Sequence, residues 1–464
     1  MEIPRIVVAA SASGVGKTTV TVGLVAALRG RGLKVAVFKC GPDYLDPSYH
    51  ARAAGRPSQN LDGWMMGREA VITTFASAAR GADIAVIEGM MGLFDGAAPT
   101  SDEGSTAEIA KWLGAPVLLV IDASGIARTV AAIALGFARF DSTLNLAGLV
   151  CNRVGSLGHL ELLRASSPGI AIVGGLPSNS ETAFPERHLG LFTADEKTVP
   201  DATIGALGGA VAQWCDLDRI IEIARGAPPL EAGASADSSA RRTDGPRCRI
   251  GVALDDAFHF YYEDNLRRME RLGVEIVNFA PSRDSMLPAV DGLYFGGGYP
   301  EAVAGELSSN AVMLDAIRSF AARGGPIYAE CGGLMYLSRG IRTLDGRLWP
   351  MAGLIAGEAV MHDRLQALGY VEVETRAASI LGPAGQRFRG HQFRYSTLEP
   401  APANVEQIYS VKPRWGADFA EGYRTGNVLA SYVHAHWASN PAVAEALVSA
   451  CVGRRADNAR GDRA

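Results

Sequence analysis

Cysteine is scarce and never closely spaced. Cys40, Cys151, Cys215, Cys248, Cys331 and Cys451 are scattered through 464 residues with no C-x-x-C pair. That excludes a disulfide framework and a zinc ribbon, and a reducing cytoplasm is the compartment that fits. Long apolar runs are missing too. No stretch reaches the length of a membrane span, and the opening MEIPRIVVAAS has no secretory n-region, so no membrane partner is expected. Positive charge is in deficit: a net charge of −5 gives nucleic acid no electrostatic footing. With 48% hydrophobic and 20% charged residues the chain is globular, and its length exceeds what one ordinary core holds.

Glycine is plentiful, and much of it follows apolar runs. RIVVAAS leads into the helical pattern TTVTVGLVAALRGRG, followed by KVAVFKC, IAVIEGMMG, PVLLVIDAS, LAGLVCNRV and IAIVGGLP. Apolar strands separated by helices predict a parallel sheet covered on both faces, with ligand loops at the strand ends. The pattern fades near Ala224, which bounds a first domain at residues 1–225. Residues 226–246, rich in Pro, Ala and Ser, read as a linker. A second α/β unit, residues 247–452, carries RIGVALDDAF, GVEIVNFAP, GLYFGGGYPE, PIYAECGGLMYL and NVLASYVHAHW. The charged residues 453–464 are expected to fray.

VVAASASGVGKTTVT ends a strand and opens a helix. Gly14, Gly16, Lys17 and Thr18 fit the end of the G-x-x-x-x-G-K-[ST] phosphate loop, although Ser11 stands where the first glycine is usual. Ser13, Gly14, Val15, Gly16, Lys17, Thr18 and Thr19 are therefore the expected ATP cradle. A chance lysine beside a glycine turn is the bland reading, and the strand before and helix after weigh against it. The loop needs Mg²⁺ with an acidic ligand on a neighbouring strand. Thr18 and Glu88 are the candidates, with Asp95 farther along. Lys39 reads equally as a solvated charge or a phosphate contact.

In the second unit, Cys331 sits between a strand and Gly332-Gly333. A buried thiol is one reading; a nucleophile on a sharp strand-to-helix turn is the other. The glycines Gly296, Gly297 and Gly298, with Gly332, could supply oxyanion N–H groups. His434 and His436 share one face of a strand, and either could be the base. No third ligand stands near them, so metal ranks below catalysis.

SASGVGKTTV with VIEGMMGLFDG resembles the dethiobiotin-synthetase type of P-loop enzyme, which activates carboxylates with ATP. Ala12 occupies the position of the extra lysine of partition-type switch ATPases, against a regulatory switch. KCGPDYLDPSYH, NLDGWM and ERHLGL are similar to signatures of the cobyrinic and hydrogenobyrinic acid a,c-diamide synthases. The resemblance places Asp43 and Asp46 near the ATP metal and the substrate carboxylates, has Tyr44 and Leu45 face the substrate, and has Asn152 read the purine edge. The cysteine segment, the glycines and the histidine pair resemble a class I (triad-type) glutamine amidotransferase, with a flavodoxin-like sheet. That family carries H-x-E, whereas this chain has His434-x-His436, a departure familiar among the diamide synthases. Alignment with the first H makes His434 the base and His436 the fallback. GHQFRYS, with His391, resembles another segment near that site, and a structural histidine is an equal reading. Glu330 is either a contact for substrate glutamine or a member of a local ion pair.

The resemblance spans nearly the whole chain and implies two doubly wound α/β domains, an N-terminal P-loop synthetase and a C-terminal amidotransferase. It implies ATP- and glutamine-dependent amidation of the a and c carboxylates of a corrinoid tetrapyrrole, with ammonia passed between the sites. Nickel-sirohydrochlorin a,c-diamide synthase and cobyric acid synthase are the neighbouring alternatives. A homodimer is left open.

Overall fold

The computed structural model describes residues 1–167, 169–178, 199–231, 245–400 and 405–461, the last five by backbone alone. It divides into two units, Met1–Ser238 and Ser239–Ala464. ERHLGL and most of the expected linker lie outside the described residues.

The first unit is built on seven strands: β1 (Arg5–Ala10), β2 (Val35–Cys40), β3 (Gln59–Leu61), β4 (Ile84–Glu88), β5 (Val117–Asp122), β6 (Leu146–Val154) and β7 (Ile172–Pro177). They form one sheet in the order β3-β2-β4-β1-β5-β6-β7, with every neighbouring pair parallel. Every residue of β1, β2 and β4 is buried, which is why these strands are continuous apolar runs rather than alternating ones. Arg5 is the exception in β1. Its guanidinium is buried but donates to the carbonyls of Leu113, Ile3 and Pro228, which offsets the cost of burying its polar groups. The Pro228 bond, with the Leu230 N–H donating to Met1 O at 2.9 Å, packs residues 228–230 onto this unit.

The second unit holds β8 (Cys248–Ala253), β9 (Val274–Phe279), β10 (Gly292–Phe295), β11 (Ile327–Glu330), β12 (Gly340–Arg342), β13 (Leu348–Pro350) and β14 (Glu358–Met361). It continues with β15 (Ala367–Thr375), β16 (Arg387–Arg394), β17 (Ser396–Glu399), β18 (Glu406–Pro413), β19 (Phe419–Thr425), β20 (Val428–Ser431) and β21 (His434–His436). Ten of them make one sheet, β21-β16-β15-β18-β19-β20-β11-β10-β8-β9. The half from β20 to β9 is parallel, as expected of an α/β unit. The half from β21 to β20 is antiparallel, which the sequence reading does not anticipate. A four-stranded sheet, β13-β12-β14-β17, stands beside it.

The expected frayed tail begins inside a helix. Pro441–Gly461 is helical, Val448 and Cys451 are buried, and the Arg454 guanidinium lies 4.4 Å over the Phe320 ring.

Candidate active sites

The first site grows from the end of β1. Gly14 and Gly16 have φ of 79° and 95°, the left-handed region where glycine carries no steric cost. Gly16 is the N-cap of the helix Lys17–Gly30. A Cβ on it would lie 2.1 Å from Asn152 Nδ2. Ser13 to Gly16 thus form a bare backbone loop, and Lys17, Thr18 and Thr19 the first helical turn, a geometry that offers N–H groups and the positive helix end to phosphate. Asn152, at the end of β6, donates to Val15 O at 2.8 Å and supports the loop from below.

Parallel registers bring the acidic groups alongside. Glu88 pairs with Val8 of β1 and with Lys39 of β2. Thr18 Oγ1 lies 2.9 Å from Glu88 Oε1 and 3.4 Å from Asp46 Oδ1. Lys39 Nζ lies 2.7 Å from Asp46 and 2.9 Å from Glu88, and donates to Gly89 O. His50 Nε2 reaches the other Glu88 oxygen at 2.6 Å. Burial alone would raise the Glu88 carboxyl, but Lys39 and His50 outweigh it and hold it below its ordinary value. For Lys39, burial is likewise overcome by Asp46, Glu88 and Asp43, which push the ammonium up. Lys39 is thus a buried partner of the carboxylates, not a solvated charge. His50 closes the signature KCGPDYLDPSYH, yet sequence reasoning gave it no task.

Asp43 accepts from the N–H groups of Leu45 and Asp46 at 2.8 and 3.0 Å, starting the helix Leu45–Ala54 and aiming Asp46 at Lys39. Asp95 accepts from Gly92 N–H in its own loop, and the carboxylates beside Thr18 are Glu88 and Asp46. Lys17 Nζ donates to Met91 O at 2.6 Å. A hydroxyl and two carboxylates converging beside a phosphate loop are hard oxygen donors of the kind Mg²⁺ takes.

The second site grows from the end of β11. Cys331 has φ 47° and ψ −101°, a strained conformation for a residue with a side chain and the mark of a nucleophile elbow. Its N–H donates to Ser431 O at 2.7 Å, and its Sγ lies 3.8 Å from Phe393 O. The helix Gly332–Leu337 starts immediately after it. A Cβ on Gly332 would sit 3.1 Å from Gly298 N, and one on Gly297 would sit 2.4 Å from His434 Cε1. The glycine turn after β10 is therefore flanked by the nucleophile's helix and by the His434 ring.

Two of the four expected oxyanion glycines have their N–H groups committed elsewhere. The Gly297 N–H donates to Phe260 O at 3.2 Å, so Gly298 and Gly332 remain. Gly296 N–H is likewise committed, to Tyr261 Oη at 2.8 Å.

Charge is suppressed around the thiol. Burial pushes Cys331 up to about 12; the Glu301 carboxylate raises it further and Arg394 opposes. Burial lowers His434 to about 3, aided by His391, which stands opposite it across β16 and β21 and is itself lowered to about 4 by burial. His391 thus belongs to the surroundings of His434. His436 is separate in role. Its Nδ1 accepts from Ala438 N–H at 3.3 Å, and its ring lies 4.6 Å from that of Tyr262. Glu330 is hydrogen-bonded within its own unit. Among the described residues it pairs with no cation; it accepts from the hydroxyls of Tyr328 and Tyr294 and from Ala435 N–H.

A phosphate loop with paired carboxylates in one unit, and an elbow cysteine with a buried imidazole in the other, define a nucleotide-dependent glutamine amidotransferase. Comparison with known proteins agrees unit by unit. Residues 6–191 match the CobQ/CobB/MinD/ParA nucleotide binding domain, and residues 249–442 match the CobB/CobQ-like glutamine amidotransferase domain. Cobyrinate a,c-diamide synthase of Leptospira interrogans is 52% identical over 97% of this chain and 99% of its own. The proteins of that name from Syntrophotalea carbinolica and Priestia megaterium are 47% identical (98% of this chain, 100% of theirs) and 41% identical (96% and 97%). The chain belongs to the cobyrinate a,c-diamide synthase family, whose members are glutamine-dependent amidotransferase ligases. No helix among the described residues is long and apolar enough to cross a membrane.

Proposed function

We propose that this chain amidates the a and c side-chain carboxylates of cobyrinic or hydrogenobyrinic acid, with glutamine as nitrogen donor and ATP as activator. The observation that carries the reading is the 52% identity spanning both units of a cobyrinate a,c-diamide synthase. A carboxylate is a poor acyl donor because oxide is a poor leaving group. Transfer of the γ-phosphoryl group of ATP onto it gives an acyl phosphate, from which ammonia displaces phosphate. The Lys17 ammonium and the loop N–H groups would stabilise charge on the phosphoryl oxygens. Thr18, Asp46 and Glu88 would hold Mg²⁺, which when bound supplies further charge neutralisation there. Asp43, Tyr44 and Leu45 would face the tetrapyrrole, and Asn152 the purine.

In the second unit the thiol of Cys331 would pass its proton to His434 as sulfur attacks the glutamine amide carbon. The N–H groups of Gly298 and Gly332 would receive the oxyanion. Ammonia leaves, and water hydrolyses the thioester to glutamate. The test is incubation with ATP, Mg²⁺, glutamine and each of cobyrinic acid, hydrogenobyrinic acid and nickel-sirohydrochlorin, read by product mass. Diamide from a corrinoid is expected. Diamide from nickel-sirohydrochlorin alone, or from none of them, would overturn the reading.

A further inference from the structure

β21 is an edge strand. β16 pairs one side of it, and among the described residues no strand neighbours its other side. Backbone groups facing that side need partners, because an orphan buried N–H or C=O is costly. Ala435, between the two histidines, is fully buried. Its N–H donates to Glu330 Oε1 at 3.0 Å, and its C=O accepts from Asn265 Nδ2 at 2.8 Å. Asn265 Oδ1 then takes the N–H of Trp437 at 2.9 Å. Both side chains are themselves buried. Glu330 is fixed by Tyr328 Oη at 2.8 Å and Tyr294 Oη at 3.0 Å. Two side chains therefore stand where another strand would.

Glu330 is also the residue before Cys331. Cys331 follows the end of β11 with φ 47°, and the helix it opens packs against the glycine turn at Gly298, while the Glu330 carboxyl reaches the strand that carries His434. The H-x-E pattern of triad amidotransferases holds the imidazole through a glutamate two residues on, and this chain has His436 there instead. His436 Nδ1 is engaged with Ala438 N–H.

We propose that Glu330 and Asn265 are positioning residues of the amidotransferase site, holding His434 in register with Cys331 by clamping the Ala435 peptide. The proposal rests on His434 being the base in the function proposed above. The clamp acts on the backbone of β21, through the N–H and C=O of Ala435.

The experiment compares Glu330→Leu, Glu330→Gln and Asn265→Asp with the unaltered full-length chain. Glutaminase kcat and KM are measured beside amidation supported by ammonium salts. Leucine fills the space but accepts nothing, whereas glutamine still accepts from Ala435 N–H. Displacing a reacting group by about 1 Å costs roughly a hundredfold in rate. Glu330→Leu should therefore lower glutaminase kcat by about tenfold to a hundredfold, with KM for glutamine within about twofold. Glu330→Gln should restore most of the rate. Asn265→Asp keeps the acceptor for Trp437 but puts a carboxylate against the Ala435 carbonyl, and should fall with Glu330→Leu. Ammonia-supported synthesis should persist in all three. Unchanged kcat in Glu330→Leu, an equal loss in Glu330→Gln, or loss of ammonia-supported synthesis would overturn the clamp. An unaltered chain without glutaminase activity would instead overturn the reading beneath it.

Discussion

The two sites solve the burial of polar chemistry in opposite ways. At the phosphate loop the charges are kept and paired: Lys39 sits between Asp46 and Glu88, and His50 closes on Glu88. At the amidotransferase site the charges are removed. The Cys331 thiol is pushed up to about 12, His434 down to about 3, and Glu330 up to about 7, each chiefly by burial. A site that must bind metal and polyphosphate needs standing charge. A site whose nucleophile attacks a neutral amide can rest neutral and create charge only in the reaction. Burial thus disfavours a thiolate–imidazolium pair from both ends.

The largest effect that separates the sites is a loss of activity. Cys331→Ala should abolish glutamine-supported amidation while synthesis from ammonium salts continues, because only the second unit makes ammonia. Lys17→Ala should abolish synthesis from either donor. Product formation with each nitrogen source checks both, and loss of ammonia-supported turnover in a folded Cys331→Ala protein would break the division between the units.

Glu88→Gln tests the paired side. It removes one of the carboxylates around Lys39, leaving Asp46 and Asp43, and gives His50 a neutral amide in place of its carboxylate partner. Breaking one member of a buried ion cluster typically costs about 3–5 kcal/mol. The first unit should lose stability on that scale in denaturant unfolding, and ATP-dependent synthesis should fail, while glutaminase activity of the second unit remains. Stability unchanged within about 1 kcal/mol would show that the cluster is not held by charge pairing.

How much of this could be read beforehand follows from burial. The strands of the first sheet were legible because burial on both faces leaves continuous apolar runs such as RIVVAA and VAVFKC. The phosphate loop and the elbow were legible because their chemistry is local: glycines with positive φ beside Lys17, and a cysteine wedged between a strand and two glycines. The antiparallel half of the second sheet was missed because RFRGHQFR and EQIYSVKP carry polar residues on one face, and short runs of that kind resemble loops. Asn265 was missed for a different reason. It lies in a charged helix, EDNLRRMER, 170 residues from the peptide it holds, and no spacing announces such a contact. Glu330 was singled out, but its bond to Ala435 N–H spans 105 residues and no local pattern points to it.

The neutral side of the comparison has its own signature in pH. His259, His391 and His436 are lowered to about 4 and His434 to about 3, chiefly by burial, below the ordinary 6.5. Between those values the unfolded chain binds more protons than the folded one, so each histidine's contribution is complete above 6.5 and is lost on acidification. Glu301 and Glu330, raised to about 7 by burial, act with the opposite sign: the folded chain holds their protons from about 4.5 upward, so they favour it as pH falls. Glu263 and Glu421 are raised by burial as well, so four histidines oppose four carboxyls in the second unit. One histidine's share of the slope from pH 6.5 towards 4.5 is the difference between the unaltered chain and its His436→Asn variant. Each uncompensated proton is worth about 1.4 kcal/mol per pH unit. Urea unfolding of both proteins across that range measures the two slopes, and a His436→Asn variant whose slope equals that of the unaltered chain would show that this histidine is not held neutral.

The smallest effect belongs to His436, and it sharpens the same comparison. Asparagine there can still accept from Ala438 N–H, since a short polar side chain suits the start of the turn Trp437–Ser439. The Tyr262 ring contact is lost, along with one of the four acid-sensitive imidazoles. His436→Asn should therefore keep glutaminase within about tenfold, lose about 1 kcal/mol or slightly more at neutral pH for the missing ring contact, and flatten the acid slope by one proton. His434→Asn should flatten the slope equally but remove glutaminase activity as thoroughly as Cys331→Ala. The two histidines would then be alike in titration and unlike in chemistry. Steady-state glutaminase rates decide between them: an inactive His436→Asn beside an active His434→Asn reverses the assignment of the base, and takes with it the argument that β21 is clamped at Ala435 to serve His434.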